Sequence, residues 1–413
     1  MSELVTESAF ELDRTALLQR APELILRVGS DGSTVIAVDD RTVAFGAHTL
    51  LVLDVFSKPT TFQHALEALE GRVHGAQEWI DLTTNILNLH EAGALVEADS
   101  TPVVKANRLG FASAAIHIRM LDDRARTESY LAAIGEVVKP GDVVIDLGTG
   151  TGVLAVAAAK AGAERVYAIE ASSIGTVASS VFEANGLADR ITLVRGWSTQ
   201  VDLPERADVL VSEIIGNEPL SERVLEATAD AMKRHLKPDA RFVPQAVRIY
   251  GIPVEIPSEV LARHRFSAAS LHRWRDWYGI DFGPLDSAAR HPAPYVFVVR
   301  PDKAREWVRL AEPCLLAEID LRTATPRLES AATATAHTSG RIDGVIMYFE
   351  LGLSPGVELS LHPDAADHTC SWQAPVWLLP EPLEVEESER LSMTYSYRGS
   401  RVRSRVEVTR ATF

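Results

Sequence analysis

The pattern of apolar and polar positions divides the chain into three regions. Up to about residue 100, short alternating runs are followed by three helix-length segments. Between residues 101 and 244, continuous apolar runs alternate with helical patterns, which is typical of a parallel sheet covered by helices. From residue 245 to 413 the periodicity is mostly two, which predicts antiparallel strands. We therefore expect three domains with boundaries near residues 100 and 244.

A glycine-rich turn marks the middle region. The apolar run Val143–Leu147 predicts a buried strand, and it leads into Gly148, Gly150 and Gly152. The alanine-rich segment Val153–Lys160 then predicts a helix. This order indicates a Rossmann-like α/β fold with a nucleotide-type cofactor at the turn.

An acidic residue follows the next strand. Arg165–Ile169 predicts a second buried strand, and Glu170 stands at its carboxyl end. In folds of this type an acid at this place accepts hydrogen bonds from ribose hydroxyls. Glu170 is therefore a candidate cofactor ligand.

Two glutamates stand close together on one loop. Glu213 follows an apolar strand, and Glu222 comes nine positions later, after a turn marked by Gly216 and Pro219. Two neighbouring carboxylates are costly unless a cation lies between them. The loop therefore predicts a cation-binding pocket, although Glu222 alone would also suit the start of the predicted helix Val224–His235.

These motifs resemble known enzymes. The Gly-x-Gly-x-Gly spacing after Asp146 resembles class I S-adenosylmethionine (SAM) methyltransferases more than NAD dehydrogenases. Glu213 and Glu222 closely resemble the double-glutamate loop of protein arginine N-methyltransferases, which grips a guanidinium group. The resemblance covers residues 105 to 413, and it also rests on segments 116–127, 236–244, 274–282 and 342–350.

The resemblance implies roles for individual residues. Glu213 and Glu222 would be the catalytic pair, Arg126 would clamp the SAM carboxylate, and Met120 would line the methyl-transfer pocket. The implied cofactor-binding residues are Arg126, Met120, Asp146, Gly148, Gly150, Gly152, Glu170, Ser198 and Thr199, the last two near the adenine.

The substrate side departs from the family pattern. Phe111 and Trp372 are the candidate substrate-binding residues, but Phe111 lacks the hydroxyl of the family's tyrosine. Ser371 stands where the family has a histidine before Trp372. These changes favour an altered acceptor, either arginine in a different peptide context or another basic nitrogen such as a terminal amine.

The charge and the cysteine count limit the partners. The chain has 41 basic and 57 acidic residues and a net charge of −16. This argues against RNA or DNA as a substrate and suits a basic peptide. The two cysteines, Cys314 and Cys370, provide neither a disulfide framework nor a zinc site, so we expect no metal. With no membrane span or signal peptide evident, a cytoplasmic location is expected.

The first hundred residues form a separate pattern, which ends at a linker around residues 99–102. The predicted strands are Pro22–Val28, Thr34–Val38 and Thr42–Phe45, and the predicted helices are His48–Phe56, Thr61–Leu69 and Ala76–Ala92. This winged-helix plan resembles PqqD-like modules, which bind the leader of a ribosomally made precursor peptide as an added strand. A module used only for packing or dimerisation is the alternative, and DNA binding fits poorly with the acidity.

The third region predicts an antiparallel β-barrel or sandwich. A helical arm over residues 262–285 interrupts it, and the resemblance implies that this arm makes a homodimer. We therefore expect a SAM-dependent N-methyltransferase that acts on a precursor peptide recruited by the N-terminal domain, a natural-product biosynthesis enzyme. The alternatives are a small-molecule or carboxyl methyltransferase and a non-catalytic peptide-binding scaffold.

Overall fold

The computed structural model describes residues 17–21, 24–28, 34–38, 41–45, 48–92, 94–97, 114–265, 268–285, 295–399 and 403–411. The chain divides into two compact units, Met1–Ser113 and Ala114–Phe413. Each unit has its own hydrophobic core. The predicted division into three domains at residues 100 and 244 stays a prediction.

The first unit contains two small antiparallel sheets and three helices. Its elements are β1 (Leu17–Arg20), β2 (Ile25–Val28), β3 (Thr34–Val38), β4 (Arg41–Phe45), α1 (Thr49–Val55), β5 (Thr60–Thr61), α2 (Phe62–Leu69), α3 (Ala76–Glu91) and β6 (Leu95–Glu97). One sheet has the order β2-β3-β4, and the other has the order β5-β1-β6. The strands and helices predicted here are present, whereas the second sheet, made of very short strands, was not predicted.

Local chemistry explains the helices of this unit. The Thr61 hydroxyl accepts a hydrogen bond from the His64 backbone N–H at 3.2 Å, which caps the start of α2. In α3, Leu82, Ile86 and Leu89 are fully buried at helical spacing. The apolar periodicity of the sequence therefore becomes the face that packs into the core.

The second unit begins with a parallel sheet covered by helices. Its elements are α4 (Ala114–Asp122), α5 (Arg124–Val137), β7 (Val143–Leu147), α6 (Val153–Lys160), β8 (Arg165–Glu170), α7 (Gly175–Ala184), β9 (Ile191–Arg195), β10 (Ala207–Ser212), α8 (Val224–Arg234) and β11 (Leu236–Val243). The order is β11-β10-β7-β8-β9, and every pair is parallel. This confirms the Rossmann-like fold. Because β7 and β10 are neighbours, the glycine turn and the glutamate loop leave the same edge of the sheet.

Antiparallel strands form the rest of the second unit. The elements are β12 (Ala246–Glu255), α9 (Ser258–His264), α10 (Ala268–Tyr278), β13 (Tyr295–Val299), α11 (Pro301–Ala304), β14 (Val308–Arg309), β15 (Cys314–Asp320), β16 (Arg327–Thr335), β17 (Gly340–Ser354), β18 (Val357–Ser360), β19 (Ala374–Val385), β20 (Arg390–Arg398) and β21 (Arg403–Arg410). One sheet has the order β13-β19-β17-β12-β14 with β15 and β18 attached, and the other has the order β16-β20-β21.

The antiparallel periodicity is confirmed, but the closed barrel is not. The described strands form two open sheets rather than one closed one. Both sheets contribute side chains to the core that also contains the parallel sheet. In the part of the chain that the structure describes, no helix has both the length and the apolar character needed to cross a bilayer.

Candidate active site

The glycine turn after β7 requires residues without a side chain. Gly148 and Gly152 have φ angles of 78° and 88°, in the left-handed region that glycine tolerates. A Cβ on Gly148 would lie 2.6 Å from the Cγ2 atom of Ile214, and a Cβ on Gly152 would lie 2.4 Å from the Phe182 ring. The turn therefore packs directly against the residue that follows Glu213.

Two acids hold the backbone of this turn. Asp146, fully buried, accepts a hydrogen bond from the Thr149 hydroxyl at 2.6 Å, and burial raises its pKa to about 7. The Glu170 carboxylate accepts hydrogen bonds from the backbone N–H groups of Gly150 at 2.9 Å and Ser172 at 2.7 Å. The strand-end acids that the sequence predicts are thus both at the glycine turn.

Arg126 joins the start of α5 to the glutamate loop. The side chain of Asp123 caps α5 by accepting the Arg126 backbone N–H at 3.1 Å, which fixes the start of the helix. The Arg126 guanidinium donates one hydrogen bond to the Glu213 carboxylate and another to the Met120 carbonyl oxygen, the latter at 2.9 Å. The side chains of Arg126 and Glu213 are 10% and 6% exposed, so this ion pair is shielded from water.

The two glutamates have different surroundings. Burial raises the pKa of Glu213, and the adjacent Arg126 guanidinium limits this rise. Burial, and then the charge of Glu213, raise the pKa of Glu222 to about 7. Among the described residues, neither a hydrogen bond nor an ion pair reaches the Glu222 carboxylate. One carboxylate is therefore paired, and the other is left to bind a cation or a proton.

Trp372 fastens the glutamate loop to the segment before β19. Its indole N–H donates to the Ile215 carbonyl oxygen at 2.7 Å, and its ring lies 5.3 Å from the guanidinium carbon of Arg126. Next to it, the Gln373 backbone N–H donates to the Asn217 side chain at 2.8 Å. The tryptophan predicted for the substrate side thus contacts the loop and the arginine together.

Ser371 is held by the residue that caps α5. Its backbone N–H and its hydroxyl both donate to one Asp123 carboxylate oxygen, at 2.8 and 2.9 Å. A serine hydroxyl cannot take a proton as an imidazole can. This contact therefore orients the loop and provides no general base.

Two of the remaining predicted residues, Ser198 and Thr199, lie on the loop after β9. The loop after β9 runs beside β8, because the Gly196 backbone N–H donates to the Glu170 carbonyl oxygen at 3.0 Å. The Ser198 carbonyl oxygen accepts from Arg234 at 2.7 Å, and Thr199 is exposed. Phe111 lies outside the described residues, so its predicted role stays a prediction.

Sequence reasoning missed Asp123, Glu218 and Tyr395. The spacing of Asp123 before Arg126 is a helix-cap signal that could have been found. Nothing local signals that the Tyr395 hydroxyl donates to the Glu218 carboxylate at 2.6 Å, because the two residues belong to distant segments.

Two buried polar atoms at the site lack partners among the described residues. They are Oδ1 of Asp146 and Nε of Arg126. An acceptor and a cationic donor suit a ligand that carries both an ammonium and a carboxylate group. This donor set fits the amino-acid part of SAM.

Comparisons with family models match two parts of the chain. Residues 123–281 match the model of ribosomal protein L11 methyltransferase (PrmA), and residues 260–409 match the arginine methyltransferase oligomerization subdomain. The second match includes α10 and most of α9, where the sequence predicts a dimerisation arm.

Curated relatives are arginine methyltransferases. The chain is 32% identical over 285 residues to the arginine N(omega)-methyltransferase of Streptomyces achromogenes subsp. streptozoticus, covering 67% of this chain and 74% of that one. It is 34% identical over 237 residues to the probable protein arginine N-methyltransferase 6 of Arabidopsis thaliana, covering 55% of this chain. The chain spans only 53% of the length of the Arabidopsis protein.

A solved structure has the same fold. The chain superposes on the Trypanosoma brucei PRMT1 enzyme-prozyme heterotetrameric complex with AdoHcy with a TM-score of 0.60 and 22% identity. The match covers 73% of this chain and 99% of that chain.

Proposed function

Because this chain belongs to the protein arginine N-methyltransferase family, we propose that it is a SAM-dependent methyltransferase whose acceptor is a guanidinium nitrogen. The observation that carries the proposal is the Arg126–Glu213 ion pair together with the adjacent Glu222, whose carboxylate has no hydrogen-bond or ion-pair partner among the described residues. This arrangement joins a place for a zwitterionic cofactor to a place for a cationic acceptor.

The glycine turn and its neighbours provide the cofactor site. Arg126 would hold the carboxylate of the amino-acid part of SAM, and Asp146 would hold its ammonium group. Glu170 would bind the ribose hydroxyls. Ser198 and Thr199 would line the adenine end. SAM supplies an electrophilic methyl group on a sulfonium centre.

The two glutamates have complementary tasks. Glu213, fixed by Arg126, orients the guanidinium so that one nitrogen faces the methyl group. Glu222 adds the second negative charge that binds the cation, and with a pKa raised to about 7 it can accept the proton that the nitrogen loses. Ser371, which stands where the family has a histidine, brings no imidazole to this place, and this supports the task of Glu222.

Mass spectrometry tests the proposal. Purified enzyme with SAM should add methyl mass to an arginine-containing peptide or to L-arginine, and fragmentation should place it on the guanidinium. Replacing Glu213 with Gln should lower kcat by about a hundredfold or more, with S-adenosylhomocysteine affinity nearly unchanged. Methylation of a peptide N-terminus would redirect the proposal to an amine, and a chain that binds no cofactor in calorimetry would favour a scaffold.

A free amino acid is the second candidate acceptor. The Streptomyces relative is named an arginine N(omega)-methyltransferase, and that name refers to arginine without a protein. If kcat/KM for L-arginine equals or exceeds that for arginine peptides, the small-molecule function is correct and the first unit has another task.

We also propose that the first unit recruits a precursor peptide. Its β2-β3-β4 sheet has an edge strand, β4, and α3 leaves Ile80 and Leu87 exposed by 56% and 43% on one face, two turns apart. These features suit a PqqD-like module that adds a leader peptide as an extra strand. We expect such an enzyme in the cytoplasm.

Substitutions on α3 test this recruitment. Changing Ile80 and Leu87 to Asp should raise KM for a leader-containing precursor while leaving transfer to L-arginine unchanged. Equal loss with both acceptors would contradict a recruiting role. Exposed residues of α10 and its exit, Trp277, Tyr278 and Ile280, suit contact with a second copy of the chain, and light scattering would detect the oligomer.

A further inference from the structure

The glutamate turn carries a third carboxylate that is partly buried. Glu218 lies between Glu213 and Glu222, and its Oε1 accepts a hydrogen bond from the Tyr395 hydroxyl on β20 at 2.6 Å. Tyr395 is fully buried, and the nearby Ser404 side chain on β21 limits the rise in the pKa of Glu218 that burial causes. A carboxylate is costly to bury, so these contacts compensate part of that cost.

The bonds of Glu218 also shape the turn that leads to Glu222. Its Oε2 accepts the Leu220 backbone N–H at 3.2 Å, and its carbonyl oxygen accepts the Ser221 backbone N–H at 2.9 Å. The turn is tight, because a Cβ on Gly216 would lie 3.0 Å from that carbonyl oxygen and 3.3 Å from Cγ of Glu222. Anything that moves Glu218 therefore moves the backbone just before Glu222.

We propose that Glu218 and Tyr395 are a pair of positioning residues: the C-terminal β20–β21 strands hold the turn so that the Glu222 carboxylate faces the acceptor. The effect on catalysis rests on the function proposed above. In this role the pair acts on Glu222 through the backbone of Leu220 and Ser221.

The same strand offers a matched control. Tyr397 lies two residues after Tyr395, on the same face of β20, and its hydroxyl donates to the Glu226 carboxylate at 3.1 Å. Glu226 belongs to α8 rather than to the turn. Tyr395→Phe and Tyr397→Phe each remove one hydroxyl that bonds to one glutamate, but only the first loosens the turn before Glu222.

Hydrogen exchange and kinetics on the full chain test the proposal. Tyr395→Phe should speed amide exchange in a peptide covering residues 216–222, and Tyr397→Phe should not. With L-arginine or an arginine peptide as the probe, Tyr395→Phe should lower kcat/KM by about tenfold, as expected for a lost hydrogen bond to a charged group. Affinity for S-adenosylhomocysteine should stay unchanged in both variants.

The two readouts separate the two proposals. If the wild-type chain methylates no guanidinium, the exchange comparison still decides whether Tyr395 holds the turn. Equal exchange and equal kinetics in the two phenylalanine variants would overturn the positioning role. A Glu218→Gln variant gives a second check, because it should lower kcat/KM as Tyr395→Phe does. Combining the two substitutions should lower it little further, because both weaken the same contact between Glu218 and Tyr395.

Discussion

The glycine turn and the glutamate turn lie side by side but are held in different ways. The glycine turn is fixed by nearby residues, such as the Gly150–Glu170 hydrogen bond with a sequence separation of 20. The glutamate turn is fixed by Trp372 and Tyr395, which bond to Ile215 and Glu218 across separations of 157 and 177. The proposed cofactor site is thus built within the parallel sheet, whereas the proposed acceptor site depends on the antiparallel strands.

This difference has a functional consequence. Under the proposed function, changes in the antiparallel strands should alter the acceptor while leaving the cofactor site intact. The departures from the family pattern follow this division, since Ser371 is on the proposed acceptor side and the Gly-x-Gly-x-Gly turn is unaltered. Substitutions on the two sides should therefore produce separable losses.

The largest effect is expected at the glycine turn. Replacing Gly152 with Ala puts a Cβ 2.4 Å from the Phe182 ring at a φ of 88°. We expect the free energy of unfolding to fall by about 2 to 4 kcal/mol and cofactor binding to be lost, from steric overlap and backbone strain together. Thermal unfolding and calorimetry with S-adenosylhomocysteine measure the two effects.

Gly186→Ala is the control for backbone strain alone. Gly186 has a φ of 67°, but a Cβ there would meet nothing within 4 Å. Gly186→Ala should lower the free energy of unfolding by only about 1 to 2 kcal/mol and leave cofactor affinity unchanged. If the two alanine variants behave alike, close packing around the glycine turn is not what maintains the cofactor site.

The pH dependence of acceptor binding should be the next largest effect. Glu222 must be ionised to attract a cation, and its pKa is raised to about 7. Affinity for the guanidinium should therefore fall by up to about tenfold per pH unit below 7, and Glu222→Gln should flatten this dependence. S-adenosylhomocysteine affinity measured over the same pH range gives the cofactor-side comparison.

Because of the same pKa shift, a rise in pH lowers the stability of the protein, whereas it increases the affinity for the acceptor. Folded Glu222 holds its proton more tightly than the unfolded chain, where the pKa is near 4.5. Its ionisation therefore lowers the stability of the ligand-free protein as the pH rises from about 4.5 to 7, by linkage. A Glu222→Gln variant whose unfolding free energy changes with pH in this range as in the wild type would contradict the assignment.

The smallest effect is expected at Trp372. Trp372→Phe keeps an aromatic ring but removes the hydrogen bond to Ile215, which should lower kcat/KM for the acceptor several-fold, or by about 1 kcal/mol in activation free energy. Trp377 is the control, because it is equally buried at 6% exposure and its indole N–H has no partner among the described residues. If Trp377→Phe lowers kcat/KM by a similar factor, the effect of Trp372→Phe comes from packing and not from the hydrogen bond to Ile215.

The sequence alone determined the features that depend on near neighbours. Apolar periodicity gave the parallel strands, the helices of both units and the antiparallel region, because burial of a strand or helix face follows from spacing. The glycines at 148 and 152 were identifiable since only glycine accepts that backbone without a clash. The short strands β1 and β5 were not predicted, because a strand of two to four residues is too short to show a clear periodicity.

Only the tertiary structure decided which side chains meet. The Arg126–Glu213 ion pair, the Ser371–Asp123 contact and the Glu218–Tyr395 bond each join distant segments. No local pattern specifies such partners, because they come together only when the antiparallel strands and the helices pack against the parallel sheet. The two glutamates were therefore visible in the sequence, but their inequality arises from the fold: Glu213 is paired with Arg126, and the Glu222 carboxylate has no hydrogen-bond or ion-pair partner among the described residues.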